Sequence, residues 1–396
     1  MLINIENYIE IINNLGHSYS NEFLQTIGFE IEKRFPIQGE VYKVYHNKFA
    51  LLVKNVNKNE LKHFAENLAE KLEEPLEFNN IPIYLDTQVG IAVYPENAHD
   101  ENTLFQNAYL AVYKAEEKRK RFAFYDESYN EAGKNNFFLL GETKSALENN
   151  NFVIYYQPKI TLKDGSVDGA EALIRWNHPK KGMIPPGNFI PLIENTALIN
   201  KLTYWILEKV IIDIHEMSKE GIDINIAVNI TPRNLEANFP EEIKNLLTYY
   251  GVSPERIELE LTETDIMKEF AVAEEVLTTL GGRGIKISID DFGTGYSSLA
   301  YLKNLPINNI KIDQSFVRNI IEDPKDREIV TTAIKMGMIL DKQTIAEGVE
   351  SKEALNLLKE LGGDYAQGYF ISKPKPYQDF IQWYNDYNNS DNNLLT

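Results

Sequence analysis

The sequence predicts an α/β protein made of a small α+β domain followed by a (β/α)8 barrel. Three observations predict it. The chain has 396 residues, enough for two or three domains. Near Phe152 its rhythm changes from short alternating runs to strand-like runs that recur about eight times with amphipathic segments between them. Polar and charged residues stand at the ends of those later strands, where the sites of such barrels gather.

Composition narrows the function. The hydrophobic fraction of 43% and charged fraction of 25% are those of an ordinary globular chain. A net charge of −19 repels polymeric nucleic acid, which disfavours a DNA- or RNA-binding role. A small anionic ligand is still compatible, because bound divalent ions reverse the local field. The absence of cysteine excludes disulfides, thiolate zinc sites and a cysteine nucleophile, and fits a reducing cytoplasmic setting. No run approaches the ~20 apolar residues that span a bilayer. The start, Met1-Leu2-Ile3-Asn4-Ile5-Glu6, lacks the basic region and apolar core of a signal peptide. A sensor or membrane anchor could still precede it in a longer protein.

Residues 1–127 read as the first domain. Leu2, Ile3 and Ile5 suggest a strand. Ser20-Asn21-Glu22 opens a helix with Phe23, Leu24, Ile27, Ile31 and Phe35 on one side. Val41 to Val53 alternates and turns near Tyr45-His46-Asn47-Lys48, a hairpin. Leu61, Phe64, Ala65, Leu68 and Leu72 mark a second helix. Ile81 to Tyr94 reads as strand, Leu104 to Lys118 as helix and Arg121 to Tyr125 as a last strand. This order predicts helices on one face of a mainly antiparallel sheet. Residues 128–150 are polar, with a helix-like segment from Phe137 to Leu147, and read as a linker helix.

Residues 151–385 read as the barrel, and 386–396 as a polar tail. Strands are expected at Phe152–Gln157, Gly169–Arg175, Ile224–Asn229, Arg256–Leu261, Ile285–Asp290, Asn309–Ile312, Gln343–Ala346 and Gly368–Phe370. Helices are expected at Leu202–Met217, Glu241–Tyr249, Met267–Leu280, Asp326–Leu340 and Lys352–Leu361. The fifth strand ends on Asp290-Asp291, followed by a Gly293-Thr294-Gly295 turn and a Ser297-Ser298 pair that could open a helix. Two adjacent acids are either a solvated turn in which Asp291 caps that helix, or a pair held together by a cation.

The strand ends favour the cation. Glu171 lies on the second strand, Asn229 ends the third, Glu260 ends the fourth with Glu263 beyond it, Lys311 is on the sixth, and Glu347 and Glu350 follow the seventh. Acids, an amide and a Lys converging on one barrel mouth suit a hard ion such as Mg²⁺ or Mn²⁺ and offer no soft ligand for zinc. The lesser alternatives are surface acids for Glu263 and Glu350 and a structural ion-pair partner for Arg175. His178 reads as a loop residue, since no second His stands at ligand spacing, and Trp176, Trp205 and Trp383 read as packing residues.

These residues carry a resemblance. Tyr155-Tyr156-Gln157-Pro158, Glu171-Ala172-Leu173-Ile174-Arg175-Trp176, Phe189-Ile190-Pro191, Val228-Asn229, Glu260-Leu261-Thr262-Glu263, Asp290-Asp291-Phe292-Gly293-Thr294-Gly295, Lys311-Ile312-Asp313, Ala346-Glu347-Gly348-Val349-Glu350 and Gln367-Gly368-Tyr369 resemble the EAL domain over about residues 140–385. The resemblance implies metal-dependent hydrolysis of cyclic di-GMP to linear pGpG by a two-metal mechanism, with two Mg²⁺ or Mn²⁺ ions per site and inhibition by Ca²⁺. It implies Glu171, Asn229, Glu260 and Asp290 as ligands of a first ion, and Asp290 and Asp291 of a second. Lys311 and Glu347 would order the attacking water, with Glu347 as base, so that the catalytic set is Glu347, Lys311, Glu171 and Asp290. Gln157, Arg175 and Gln367 correspond to substrate contacts, Glu263 to a brace for the 293–298 loop and Glu350 to a supporting residue. It also implies a homodimer through the EAL domain. Val228-Asn229-Ile230-Thr231 departs from the pattern only in having Thr where Ser is frequent.

The first domain resembles the GGDEF domain of diguanylate cyclases, through Asn14-Leu15-Gly16-His17, Val89-Gly90-Ile91-Ala92-Val93-Tyr94-Pro95 and Ala111-Val112-Tyr113-Lys114-Ala115. Where that family has metal-binding acids, this chain has Asn4 and a hairpin of Tyr45-His46-Asn47-Lys48-Phe49. Neutral Asn and cationic Lys cannot replace carboxylates around Mg²⁺. The expectation is a GGDEF-like domain without cyclase activity, in a regulatory or dimerising role. A non-catalytic cyclic di-GMP receptor is the alternative to the enzyme, disfavoured because every matched acidic position is filled. A bifunctional cyclase and phosphodiesterase is the third reading, disfavoured by Asn4, Asn47 and Lys48.

Overall fold

The structure is a computed structural model. It describes the chain apart from residues 17–18, 35–38, 46, 55, 80, 119, 195, 264–265, 267–269, 294–304 and 390–396; the side chains of 34, 39, 58, 130–138 and 270–272 are also left aside. His17, Phe35, His46, Met267, Thr294, Gly295 and the Ser297-Ser298 pair therefore lie outside the described residues. The chain forms two compact units, Met1–Phe138 and Leu139–Thr396.

In the first unit the elements run β1 Leu2–Ile5, α1 Tyr8–Leu15, α2 Ser20–Arg34, β2 Gly39–Tyr45, β3 Lys48–Val53, α3 Lys58–Leu72, β4 Leu76–Phe78, β5 Ile81–Ile83, β6 Thr87–Ile91, α4 Glu101–Glu117 and β7 Phe122–Phe124. A sheet of order β2-β3-β1-β6-β7 carries the unit, and its neighbours are antiparallel except for the parallel pair β6–β7. Phe23, Leu24, Ile27 and Ile31 of α2 and Leu61, Ala65, Leu68 and Leu72 of α3 are buried at the helical spacing read from the sequence. Asn57 starts α3 with a reciprocal capping box: its side chain accepts from the backbone of Glu60 while Glu60 returns to the backbone N–H of Asn57.

Two expectations in this unit are corrected. The run Ile81 to Tyr94 is not one strand: β5 pairs only with β4, in a separate two-stranded ribbon, and β6 begins at Thr87. Pro82 lacks the N–H that a strand inside the main sheet would have to donate. Helix α1 was absent from the reading; only Tyr8 and Ile12, four apart, are buried in it, too short a stripe to stand out.

A single helix, α5 Ser128–Glu148, connects to the second unit. There follow β8 Phe152–Thr161, β9 Val167–His178, β10 Gly182–Ile184, α6 Ile190–Ile193, α7 Leu198–Lys219, β11 Asn225–Asn229, α8 Phe239–Tyr250, β12 Ile257–Thr262, α9 Phe270–Gly282, β13 Lys286–Phe292, β14 Asn309–Ile312, α10 Gln314–Arg318, α11 Pro324–Leu340, β15 Gln343–Ala346, α12 Lys352–Glu360, β16 Tyr365–Gln367, β17 Lys375–Pro376 and α13 Tyr377–Asn389. The strands β9-β11-β12-β13-β14-β15-β16-β8 close into a barrel through the β8–β9 pairing, with β10 and β17 as short additions.

The barrel is not a uniform parallel ring. Strand β8 runs antiparallel to both β9 and β16, whereas β9 and β11 to β16 are parallel to one another. The cause is local. Asp164 accepts hydrogen bonds from Thr161 Oγ1 at 2.6 Å, Ser166 Oγ at 2.7 Å and Ser166 N–H at 3.0 Å, closing a tight turn. So short a connection can only join antiparallel strands. The eighth strand also lies at Tyr365–Gln367, three residues before its expected place. Gly368 follows the strand where only a glycine fits: a Cβ there would sit 2.2 Å from both the nitrogen and the oxygen of Val349. Among the described residues no helix is long and apolar enough to cross a membrane.

Gly368→Ala is therefore expected to destabilise the barrel by about 1–3 kcal/mol, as an overpacked core position does. Urea unfolding of the variant checks this; an unchanged midpoint would contradict the contact.

Candidate active site

In β12, β13 and β14 the polar residues fall on one alternation and the apolar residues on the other. Ile257, Leu259 and Leu261 alternate with Glu258 and Glu260; Ile287 and Ile289 with Ser288 and Asp290; Ile310 and Ile312 with Asn309 and Lys311. Successive side chains of a strand take opposite faces. The apolar set packs in the main core, and the polar set gathers on the other face, inside the barrel.

Its centre is Lys311, which is 1% exposed. The Lys311 Nζ lies 2.7 Å from Glu260 Oε2, 2.7 Å from Glu347 Oε1, 3.3 Å from Asp290 Oδ1 and 3.7 Å from Glu171 Oε2. Glu171 is fixed from two further sides: it accepts from Asn229 Nδ2 at 2.8 Å and from Gln367 Nε2 at 2.6 Å. Gln367 also donates to Gln157 Oε1 at 3.3 Å, and Gln157 donates to the Ser372 carbonyl at 3.2 Å. Residues on seven strands, with Glu347 just beyond an eighth, thus form one connected network.

Two consecutive acids reach this site because β13 is irregular. The register with β14 shifts between Ile289 and Phe292, and Asp291 has φ +55°. This left-handed residue breaks the alternation that would have sent Asp290 and Asp291 to opposite faces. Asp290 Oδ1 accepts the backbone N–H of Asp291 at 2.9 Å. Glu263 is buried and accepts the Gly293 N–H at 3.3 Å, at the described edge of the loop it was expected to brace.

Charge is out of balance here. Burial pushes the Glu347 carboxyl up to about 8; Lys311 opposes the shift, while Asp290 and Glu171 add to it. Burial, and then the negative charge of Asp290 and Asp313, push Asp291 up to about 6. Glu260 is raised well above the carboxylate range, by burial first and by Glu171 and Asp290, against the pull of Lys311. Lys311 is held charged: burial lowers its affinity for the proton, but Asp290, Glu171, Glu260 and Glu347 outweigh it. One ammonium does not neutralise these carboxylates.

That imbalance, and an all-oxygen donor set of Glu171, Asn229, Glu260, Asp290 and Asp291, fit hard divalent cations. Asn229 spends its N–H on Glu171, so its amide oxygen is the atom it can offer a cation. As the side chains stand, no three acids or histidines among the described residues are arranged around one ion position, because the carboxylates close on Lys311 instead.

Other expected residues lie further out. Arg175 is half-buried, stacks over the Tyr155 ring at 5.6 Å and donates to the Ile174 carbonyl at 2.9 Å; it makes no described ion pair. Glu350 is exposed and pairs with Arg318 at 2.9 Å, outside the cluster. His178 is not a loop residue: it ends β9, buried, with its ring tilted against that of Trp176. Its Nδ1 accepts the N–H groups of Lys180 and Lys181 at 3.1 and 3.2 Å, so Nε2 carries the proton and donates to Glu142 of α5 at 2.9 Å. Trp176 packs among Phe152 and Phe189, Trp205 against Phe152, and Trp383 against Phe380 and Tyr387. The sequence reading missed Lys159 and Glu258, a buried pair at 2.8 Å beneath the acids; their place two residues from Gln157 and Glu260 on the same strands was the available signal.

In the first unit, buried Asn4 donates to Glu116 at 2.7 Å and accepts from Asn47 at 3.0 Å, and Lys48 donates to Asn47 at 3.3 Å. The positions that would carry acids in a cyclase are tied to each other by neutral amides.

Glu347 and Asp291 hold protons in the folded state that the unfolded chain, near 4.5 and 3.8, gives up. Their contribution to stability is complete at the acid end and is lost as pH rises through about 6 and then about 8. In EDTA the melting temperature of the barrel is expected to fall between about pH 5 and pH 8 by calorimetry; a rising profile would contradict the assignment. Lys311→Met leaves the carboxylates without their cation and is expected to cost ~3–5 kcal/mol near neutral pH. Its penalty should shrink in acid, which denaturant titration at two pH values measures.

Comparison with known proteins agrees with this geometry. Residues 141–374 match the EAL domain model and residues 1–121 the model of the diguanylate cyclase GGDEF domain. The bifunctional diguanylate cyclase/cyclic di-GMP phosphodiesterase MucR of Pseudomonas aeruginosa is 31% identical over 384 residues, covering 96% of this chain and 56% of that protein. The cyclic di-GMP phosphodiesterase PdeR of Escherichia coli is 32% identical over 387 residues, covering 97% of this chain and 58% of that one. The chain thus spans little more than half the length of these relatives. Among solved structures, a PaMucR phosphodiesterase–c-di-GMP complex is 37% identical with a TM-score of 0.59, covering 61% of this chain and 99% of that one. The EAL enzyme Bd1971 in its cAMP- and cyclic-di-GMP-bound form is 27% identical with a TM-score of 0.61, covering 85% and 80%. With strand-end acids closing on a buried lysine inside a barrel whose model match takes up most of the second unit, the chain belongs to the EAL domain family and carries a GGDEF domain ahead of its EAL domain.

Proposed function

We propose that the barrel hydrolyses cyclic di-GMP to linear pGpG with two Mg²⁺ or Mn²⁺ ions, and that the GGDEF domain here makes no cyclic di-GMP. The observation that carries this reading is the oxygen-only acid cluster around Lys311. The names of the relatives, two of which are phosphodiesterases of this dinucleotide, support it.

Glu171, Asn229, Glu260 and Asp290 would hold one cation, and Asp290 with Asp291 a second. Bound there, the cations supply positive charge that acidifies a water and offsets the charge developing on the phosphodiester. Glu347 would take the proton from that water as general base. Lys311 fixes the Glu347 carboxylate by donating to it at 2.7 Å. Water oxygen adds to phosphorus in line, the P–O3′ bond breaks, and the leaving 3′ oxygen takes up a proton. Gln157 and Gln367, joined on the floor, and Arg175, beside Tyr155, would position the dinucleotide. Homodimerisation through the barrel and a regulatory role of the first unit are parts of the same proposal.

A second reading is a receptor that binds cyclic di-GMP without cleaving it. Chromatography of cyclic di-GMP incubated with the protein and Mg²⁺, with and without EDTA, separates the two. EDTA-sensitive appearance of pGpG is expected; binding without product would establish the receptor. Glu171→Ala is expected to lower turnover by at least ~100-fold with its melting transition retained. Lys48→Asp should yield no cyclic di-GMP from GTP, because Asn4 remains.

A further inference from the structure

Beneath the Lys311 cluster lies a second polar layer. Lys159 Nζ pairs with Glu258 Oε2 at 2.8 Å and lies 3.8 Å from Asp168 and 5.3 Å from the centre of the Tyr365 ring. Glu258 also accepts a short hydrogen bond from Ser288 Oγ and one from Asn309 Nδ2 at 2.6 Å. Lys159, Glu258, Ser288 and Asn309 are each less than 5% exposed. Each stands two residues from a member of the upper site on the same strand: Lys159 from Gln157, Glu258 from Glu260, Ser288 from Asp290 and Asn309 from Lys311.

Stability alone does not explain this layer. Barrel interiors are ordinarily filled by Val, Ile and Leu. A buried ion pair is usually no more stabilising than apolar residues of its size. Asn309 Oδ1 is moreover buried with no partner, a loss that an apolar residue would not incur. What the layer does uniquely is tie β8, β13 and β14 to one carboxylate of β12, directly below the residues those strands present.

We infer that Lys159, Glu258, Ser288 and Asn309 form a positioning layer that sets Glu260, Asp290 and Lys311 at the relative heights needed to hold a divalent cation and the substrate phosphate. The inference rests on the proposed hydrolysis for its kinetic arm and on the donor set alone for its binding arm. Two carboxylates on one strand show how the layers divide the work. Glu258 has the Lys159 ammonium at 2.8 Å and two neutral donors, whereas Glu260 shares Lys311 with Glu171, Asp290 and Glu347. The lower layer is thus complete in charge without any ion, and the upper one is not. A tie that shifts site atoms by ~1 Å is enough to change a rate ~100-fold.

The test is the double variant Lys159→Met/Glu258→Met, which removes both charges together and leaves neither buried alone. Its melting temperature is expected to stay within a few degrees of the parent. Turnover is expected to fall ~10-fold or more with KM for cyclic di-GMP nearly unchanged, and calorimetric affinity for Mn²⁺ to fall ~10-fold. Lys159→Arg, which keeps the pair, should restore both. Parental turnover and parental Mn²⁺ affinity in a folded double variant would overturn the inference. If the parent itself makes no pGpG, the proposed hydrolysis fails and the Mn²⁺ affinities still decide the positioning. Should the double variant not fold, Ser288→Ala removes one oxygen only: weakened Mn²⁺ affinity at an unchanged melting temperature supports the layer, and unchanged affinity overturns it.

Discussion

A buried ammonium among carboxylates is the constraint on which the barrel is arranged. In a low-dielectric interior like charges a few ångströms apart repel strongly, and an unpaired charge is worse. Lys311 meets Glu171, Glu260, Asp290 and Glu347 from four different strands or strand ends, so its charge is shared rather than matched. Burial, and then the neighbouring carboxylates, raise Glu260, Glu347 and Asp291 against the pull of Lys311. Structural ion pairs are usually balanced, as Lys159 and Glu258 are one layer below. The two layers thus differ in how many carboxylates one lysine serves.

The backbone supports this with a few local departures from regularity. The Asp164 turn folds β8 back on β9 and brings Gln157 opposite Glu171. The register shift in β13 delivers two consecutive acids to one side. Gly368 lets the chain pass against Val349 immediately after Gln367, whose side chain reaches Glu171. Within the second unit, His178 fastens the end of β9 to Glu142 on the connecting helix, with both ring nitrogens used. In the first unit the side chains of Asn47, Asn4 and Gln88 are joined by hydrogen bonds, and Asn4 also donates to Glu116.

Much of this was legible in the sequence, and the residues show why. Alternation such as Ile-Glu-Leu-Glu-Leu from Ile257 or Asn-Ile-Lys-Ile from Asn309 is a local property, and a period of two is enough to place a strand and say which residues share a face. The order of those strands, the helices between them and the acids at their ends gave the barrel and its candidate site, and the Asn and Lys of the first hairpin gave the doubt about a cyclase. Errors fell where two local signals competed: Pro82 within an alternating run, or Gly368 beside a Tyr and a Phe that favour strands.

The sequence by itself determined the elements and the chemical types at their ends, because propensity and periodicity act over a few neighbouring residues. Only the tertiary structure decided which acids share Lys311, that Asp291 turns left-handed, that Glu350 faces Arg318 instead of the cluster, and that Lys159 and Glu258 meet. Those facts depend on the direction of β8 and on the stagger with which eight strands close, and closure joins residues as far apart as Glu171 and Gln367, 196 positions along the chain. No local pattern carries that information, since the side chains that meet are chosen by the geometry of the ring and not by their neighbours in sequence.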